Sequence, residues 1–125
     1  MGSRRIKLEE PFDWHGKDIK EIELVEPTGW QVATFGEPRI LVHNASVGGY
    51  FVERDDVIAK YLEKCVKHDS GGDIVKLIGM TDVLRIKAAL FDFFSVAEAK
   101  IAAERLASFA SARIESPSEK SGSSA

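Results

Sequence analysis

Ile6 and Leu8 alternate with Lys7 and Glu9, and Ile22 and Leu24 alternate with Glu21, Glu23 and Val25. Period-two patterning of this kind gives each segment one apolar face, so the two predict strands buried on one side only. Between them, His15-Gly16-Lys17 is a turn signal, with Gly16 free to take a positive φ, and the pair reads as an antiparallel β-hairpin. Pro11 cannot donate to a ladder and is expected to limit the first strand. Pro27 ends the second, and Thr28 stands where an N-cap would, ahead of Trp30, Val32, Ala33 and Phe35 on a short helical turn that stops at Gly36 and Pro38.

Past the turn the pattern changes. The segment Glu37 to Val52 holds one short apolar run, Ile40-Leu41-Val42, then His43-Asn44-Ala45-Ser46 and the break Gly48-Gly49. It reads as an ordered loop with one strand at most. Asp55 or Asp56 then caps a helix on which Val57, Ile58, Tyr61, Leu62, Cys65 and Val66 recur at spacings of three and four, ended by Ser70-Gly71-Gly72. Asp73 caps a short segment carrying Ile74, Val75, Leu77 and Ile78, closed by Gly79. From Thr81, the stripe Val83, Ile86, Leu90, Phe93, Phe94 and Ala97, thickened by Leu84 and Phe91, predicts the main core helix. Ser95-Val96-Ala97-Glu98 matches a capping box, so a second helix restarting at Ser95 and one continuous helix are both compatible with the pattern.

The predicted class is therefore α+β, an N-terminal antiparallel β-hairpin followed by a small helical bundle. Residues 1–5 are expected to be a flexible N-terminus, 6–94 the domain, 95–115 a C-terminal helix extension and 116–125 a disordered tail. That tail of Ser, Pro, Gly, Glu and Lys is too polar to offset its ordering entropy.

Composition narrows the function. A chain of 125 residues that is 44% apolar suits one modest core. A net charge of −3 and a pI near 5.6 argue against phosphate-backbone binding. One cysteine, Cys65, allows no internal disulfide and fits a reducing compartment. No run of about 18 apolar residues is present, and Met1-Gly2-Ser3-Arg4-Arg5 lacks the apolar stretch of a signal peptide. Ile6 occupies the position where a myristoylation signal needs Ser or Thr.

Candidate chemistry is sparse. Cys65 and His68 lie one helical turn apart, but His15 and His43 sit in unrelated segments, short of the three or four ligands of a zinc site, and no orienting carboxylate accompanies the thiol. Glu53, Asp55 and Asp56 are explained by capping and by the macrodipole at a helix start. Neither Gly48-Gly49 nor Gly71-Gly72 is followed by the residues of a phosphate loop. We expect no catalytic, metal or cofactor residues. Candidate partner-binding residues are Trp14 beside the hairpin turn, Phe91 and Phe94 on more than one side of the core helix, and Leu106, Phe109 and Ile114 on the Ala- and Ser-rich extension, where a sparse apolar stripe suits a partner groove or a homodimer seam.

The Ile6-x-Leu8 strand, Gly16 turn, Leu24-Val25-Glu26-Pro27-Thr28-Gly29 junction, Gly48-Gly49, Asp55-Asp56-Val57-Ile58-Ala59-Lys60-Tyr61-Leu62, Leu77-Ile78-Gly79-Met80 and Asp92-Phe93-Phe94 resemble the small tail assembly chaperones of contractile-tail and Mu-like bacteriophages. The resemblance spans roughly residues 6–94. It departs at Gly79-Met80-Thr81-Asp82-Val83, where many members have Gly-Leu, a Ser or Thr cap and an acidic pair, and in the helix beyond Ser95. It implies a non-enzymatic protein of phage or prophage origin that binds the helical tape-measure protein in the bacterial cytoplasm and keeps it soluble while tail-tube subunits assemble. Such a protein leaves before the virion is complete. The alternative class is a structural tail-completion protein or a small regulatory adaptor acting as an oligomer.

Overall fold

A computed structural model describes residues 2–68 and 71–115, with the backbone alone for 71–72 and 112–115. It has mixed α+β architecture. The order is β1 (Ser3–Trp14), β2 (Lys17–Val25), α1 (Gly29–Phe35), β3 (Arg39–Asn44), β4 (Gly48–Glu53), α2 (Asp55–Cys65), a 3-10 segment (Gly71–Leu77) and α3 (Met80–Glu115). Two antiparallel two-stranded sheets form, β1 with β2 and β3 with β4.

The first hairpin follows its pattern. Trp14 pairs with Lys17 across a two-residue turn in which His15 and Gly16 both take positive φ, 50° and 84°, as a turn matched to right-handed strand twist requires. Ile6 lies opposite Ile22, and Ile6, Leu8, Ile22 and Leu24 are all buried. Two details differ from expectation. Ser3, Arg4 and Arg5 are paired with Val25, Leu24 and Glu23, so β1 takes in residues assigned to a flexible N-terminus. Pro11 does not end β1; the strand instead changes register, with Lys7 opposite Glu21 and Phe12 opposite Ile19, so Leu8 to Pro11 bulge out opposite Lys20.

Asp82 holds that bulge in place. Its fully buried carboxylate accepts the Glu9 N–H at Oδ1 (2.9 Å) and the Glu10 N–H at Oδ2 (3.0 Å), two donors that the broken ladder leaves without a cross-strand carbonyl. Arg85 donates to the same carboxylate at 3.1 Å. The Glu9 bond, followed by the Glu10 bond and the Arg85 charge, holds the Asp82 carboxyl below its ordinary value against the opposing effect of burial. The first turns of α3 are further tied to β1 by an Arg4–Asp92 ion pair and by Arg4 over the Phe93 ring at 5.0 Å.

The core gathers Val57, Ile58, Tyr61, Leu62 and Cys65 of α2 with Ile74 and Ile78, and Ile86 and Leu90 of α3. Each such aliphatic side chain contributes about 1.5–3 kcal/mol by leaving water. Val66 bridges to Leu24, and the Lys67 N–H donates to the Glu23 carbonyl (2.9 Å), so the residues after α2 line the second edge of β2. Thr28 caps α1 with a full capping box: it accepts from the Gln31 N–H, and Gln31 Oε1 accepts from the Thr28 N–H at 2.9 Å.

Other expectations are corrected. The Glu37–Val52 stretch is a complete hairpin, since Tyr50-Phe51-Val52 supplies a second β-rich run to pair with Ile40-Leu41-Val42. The N-cap of α2 is Arg54, with no side-chain cap bond, and Asp55 and Asp56 lie in the first turn, where they favour the positive helix end. Asp73 lies inside the first turn of a 3-10 segment. Of the two readings left open at Ser95, the structure takes the continuous one, with α3 running from Met80 to Glu115. The chain divides into two compact units at Phe93 and Phe94, and residues 94–115, the described part of the second, are helical. Residues expected to form a tail, 116–125, lie outside the described residues.

Candidate functional site

The second hairpin is built from the most β-prone residues after β2, yet it buries none of them. Asn44 pairs with Gly48 across Ala45-Ser46-Val47. Asn44 Oδ1 accepts from the Ser46 N–H at 2.7 Å, and Gly48 takes φ +80° to bring the chain back into register. At the base, Arg39 pairs with Glu53, and the Arg54 N–H donates to the Pro38 carbonyl at 2.8 Å.

Alternation sorts the side chains onto two faces. Leu41 lies opposite Phe51 on the face that carries Arg39 and Glu53. On the other, Ile40 lies opposite Val52 and Val42 opposite Tyr50, with no charged residue among these four. Both faces are open: Phe51 is 56% exposed, Leu41 52%, Tyr50 43%, Ile40 42% and Val52 40%. A contiguous exposed apolar patch of this kind marks interaction surfaces.

Polar contacts at the base fix the hairpin to the start of α3. The Arg39 guanidinium lies over Phe51 (4.3 Å) and Phe91 (5.0 Å), Lys87 approaches the same Phe91 ring (5.8 Å), and Lys87 pairs with Glu53. Charge at one end therefore orients the hairpin while its apolar body stays uncovered.

The candidate residues do not form one site. Phe91 is half-buried beneath Arg39 and Lys87. Trp14 is half-buried rather than exposed, meeting His15 (4.6 Å) and His68 (5.8 Å) edge to face. In the helical segment from Phe94 onward, Phe94 is half-buried, while Leu106 and Phe109 are 69% and 61% exposed. The Ile114 side chain lies outside the described residues. Sequence reasoning missed the hairpin residues Leu41, Tyr50, Phe51 and Val52 as a surface. The signal was two three-residue β-prone runs flanking an Asn and two Gly residues, the composition of a hairpin.

A cleft of about 480 Å³ opens between Val25, Thr28, Gln31, Glu63, Cys65 and His68. Cys65 is buried there and donates to Gln31 Oε1 at 3.6 Å. Burial pushes the thiol up to about 11, which keeps it protonated and unreactive near neutrality. The Tyr61 hydroxyl donates to the Gly36 carbonyl at 2.5 Å, with burial foremost in pushing it up to about 12. Among the described residues, no three His, Cys, Asp or Glu side chains are grouped to hold a metal, and no helix is long and apolar enough to cross a membrane.

Compared with family models, curated proteins and solved structures, the chain matches none.

Proposed function

We propose that this protein is a non-enzymatic binding module that acts as an assembly chaperone, holding an apolar helical client in solution until its permanent partners cover it. The observation that carries this reading is the β3–β4 hairpin, whose Ile40, Val42, Tyr50 and Val52 make an uncharged face and whose Leu41 and Phe51 stand open on the other. Such a face suits the apolar stripe of an amphipathic helix, because contact there removes apolar area from water on both sides without burying a charge. Two open strand edges leave room for a client that arrives unfolded.

The resemblance to phage tail assembly chaperones supplies the client: the tape-measure protein, a long helical chain exposed to aggregation before tail-tube subunits enclose it. On this reading the protein works in the cytoplasm of the bacterial host and is not retained in the finished virion. Coexpression with the tape-measure protein encoded beside it tests the proposal. The expected result is copurification and transfer of the client from the insoluble to the soluble fraction. Two well-folded proteins that do not associate would overturn it.

A further inference from the structure

We infer that β4 is a self-association edge, along which two copies of the chain join their β3–β4 hairpins into one four-stranded antiparallel sheet about a two-fold axis at Phe51. The pairing is made by backbone groups and does not depend on client binding.

Hydrogen bonding within the hairpin fixes which groups face outward. The Arg54 N–H donates to the Pro38 carbonyl at 2.8 Å, which makes Pro38 and Arg54 a hydrogen-bonded pair. Alternation along the regular register then makes Ile40–Val52, Val42–Tyr50 and Asn44–Gly48 hydrogen-bonded pairs as well. The N–H and C=O groups of Gly49, Phe51 and Glu53 therefore point away from β3. Among the described residues, β4 pairs with β3 alone, and no backbone bond from a turn, loop or other element reaches these three residues. Every residue of β4 is exposed, whereas Arg39 and Val42 of β3 are half-buried, so β4 is the more open edge. Between Gly48 and Val52 it has no proline, no charged side chain and no bulge, the features that keep an edge from pairing.

The register itself specifies a second copy. All the outward groups are satisfied when Phe51 meets Phe51 of the second copy and Gly49 meets Glu53, which gives about six hydrogen bonds between the copies. Tyr50 then lies opposite Val52 of the second copy, an aromatic and β-branched pair, and no charge faces a like charge. Each Phe51 ring keeps its own Arg39 above it, since the strand pairs through its backbone. The axis is perpendicular to the sheet, so Ile40, Val42, Tyr50 and Val52 of both copies share one side. The uncharged face widens from two strands to four, about 14 Å between the outer ones. A strand of 6 residues is about 20 Å long, and edge contact over that length stays under the roughly 800 Å² per partner of a standard interface. Association is therefore weak and concentration-dependent.

Sedimentation equilibrium of the full chain over about two decades of concentration tests the inference. The expected result is a reversible monomer–dimer equilibrium. Phe51→Pro removes an outward N–H and leaves the bonds to β3 in place, so it is expected to weaken the dimer at least about tenfold relative to Phe51→Ser, which keeps that N–H. Cysteine crosslinking reads the geometry directly, even where Phe51→Pro folds poorly. Paired Cα atoms about 5.5 Å apart allow a disulfide at the axis, so Phe51→Cys is expected to crosslink under mild oxidation. Leu41→Cys, about 14 Å from its counterpart across the joined sheet, is expected not to. A monomer at every concentration, assembly that continues past the dimer, a folded Phe51→Pro variant that dimerises like Phe51→Ser, or failure of Phe51→Cys to crosslink would each overturn the assignment.

Discussion

The two hairpins use the same residue types to opposite ends. In β1–β2, Ile6, Leu8, Ile22 and Leu24 are covered, the bulge N–H groups end on Asp82, and the free edge of β2 is met by Val66 and Lys67. In β3–β4, Ile40, Leu41, Tyr50, Phe51 and Val52 are left in water, and the sheet is fixed at its base by Arg39, Glu53 and Lys87. The first hairpin is part of what makes the molecule fold. The second is held in position by the fold without being needed for its core, the economy expected of a surface kept for a partner.

Breaking the first region should unfold the protein. Leu24→Ala or Leu90→Ala, each at a fully buried position, is expected to cost about 2–5 kcal/mol in chemical denaturation, the sum of lost transfer energy and a cavity. Asp82→Asn should come next, because one side-chain amide then faces two backbone donors where a carboxylate accepted both. Its acid dependence has a definite sign. The carboxyl is held below its ordinary 3.8, so the stability it supplies is full above that value and is lost as pH falls through the lower folded-state value. The Asn variant should lack that acid limb, which denaturation at a series of pH values would reveal.

Smaller effects belong to the joints. Thr28→Ala removes the N-cap of α1 and is expected to cost about 1 kcal/mol by the same assay. Tyr61→Phe gives up the bond to Gly36 and should cost about 1 kcal/mol near neutrality. The wild-type hydroxyl is pushed from 10.0 up to about 12, so its contribution is complete below pH 10 and disappears as pH rises through about 12, a limb the Phe variant lacks. Phe51→Ser also gives up the ring beneath Arg39 and is expected to cost about 0.5–1 kcal/mol, while the smallest effect sharpens the comparison most: Leu41→Ser is expected to change stability by about 0.5 kcal/mol or less.

Legibility followed how local the signal was. The β1–β2 hairpin, the Thr28 cap and the α2 stripe could be read from the chain because alternation, turn chemistry and helical spacing all act within a few residues. The β1 bulge could not, since the group that satisfies it, Asp82, lies far along the sequence from Glu9 and Glu10. The second hairpin was obscured because one-sided alternation is the usual strand signal, and here both faces are apolar. Phe91 illustrates the limit at the candidate site: its position off the main stripe was readable, but its burial under Arg39 and Lys87 depends on a strand the pattern did not reveal.

The most direct test of a fold-bearing first hairpin and a partner-bearing second one is a pull-down of the coexpressed tape-measure protein by the Leu41→Ser, Phe51→Ser double variant, with the variant's melting temperature measured alongside. Loss of the client with melting lowered by no more than those small costs is the predicted result. Full retention of the client by a variant that melts like the wild type would contradict it, and would move client binding off the β3–β4 surface.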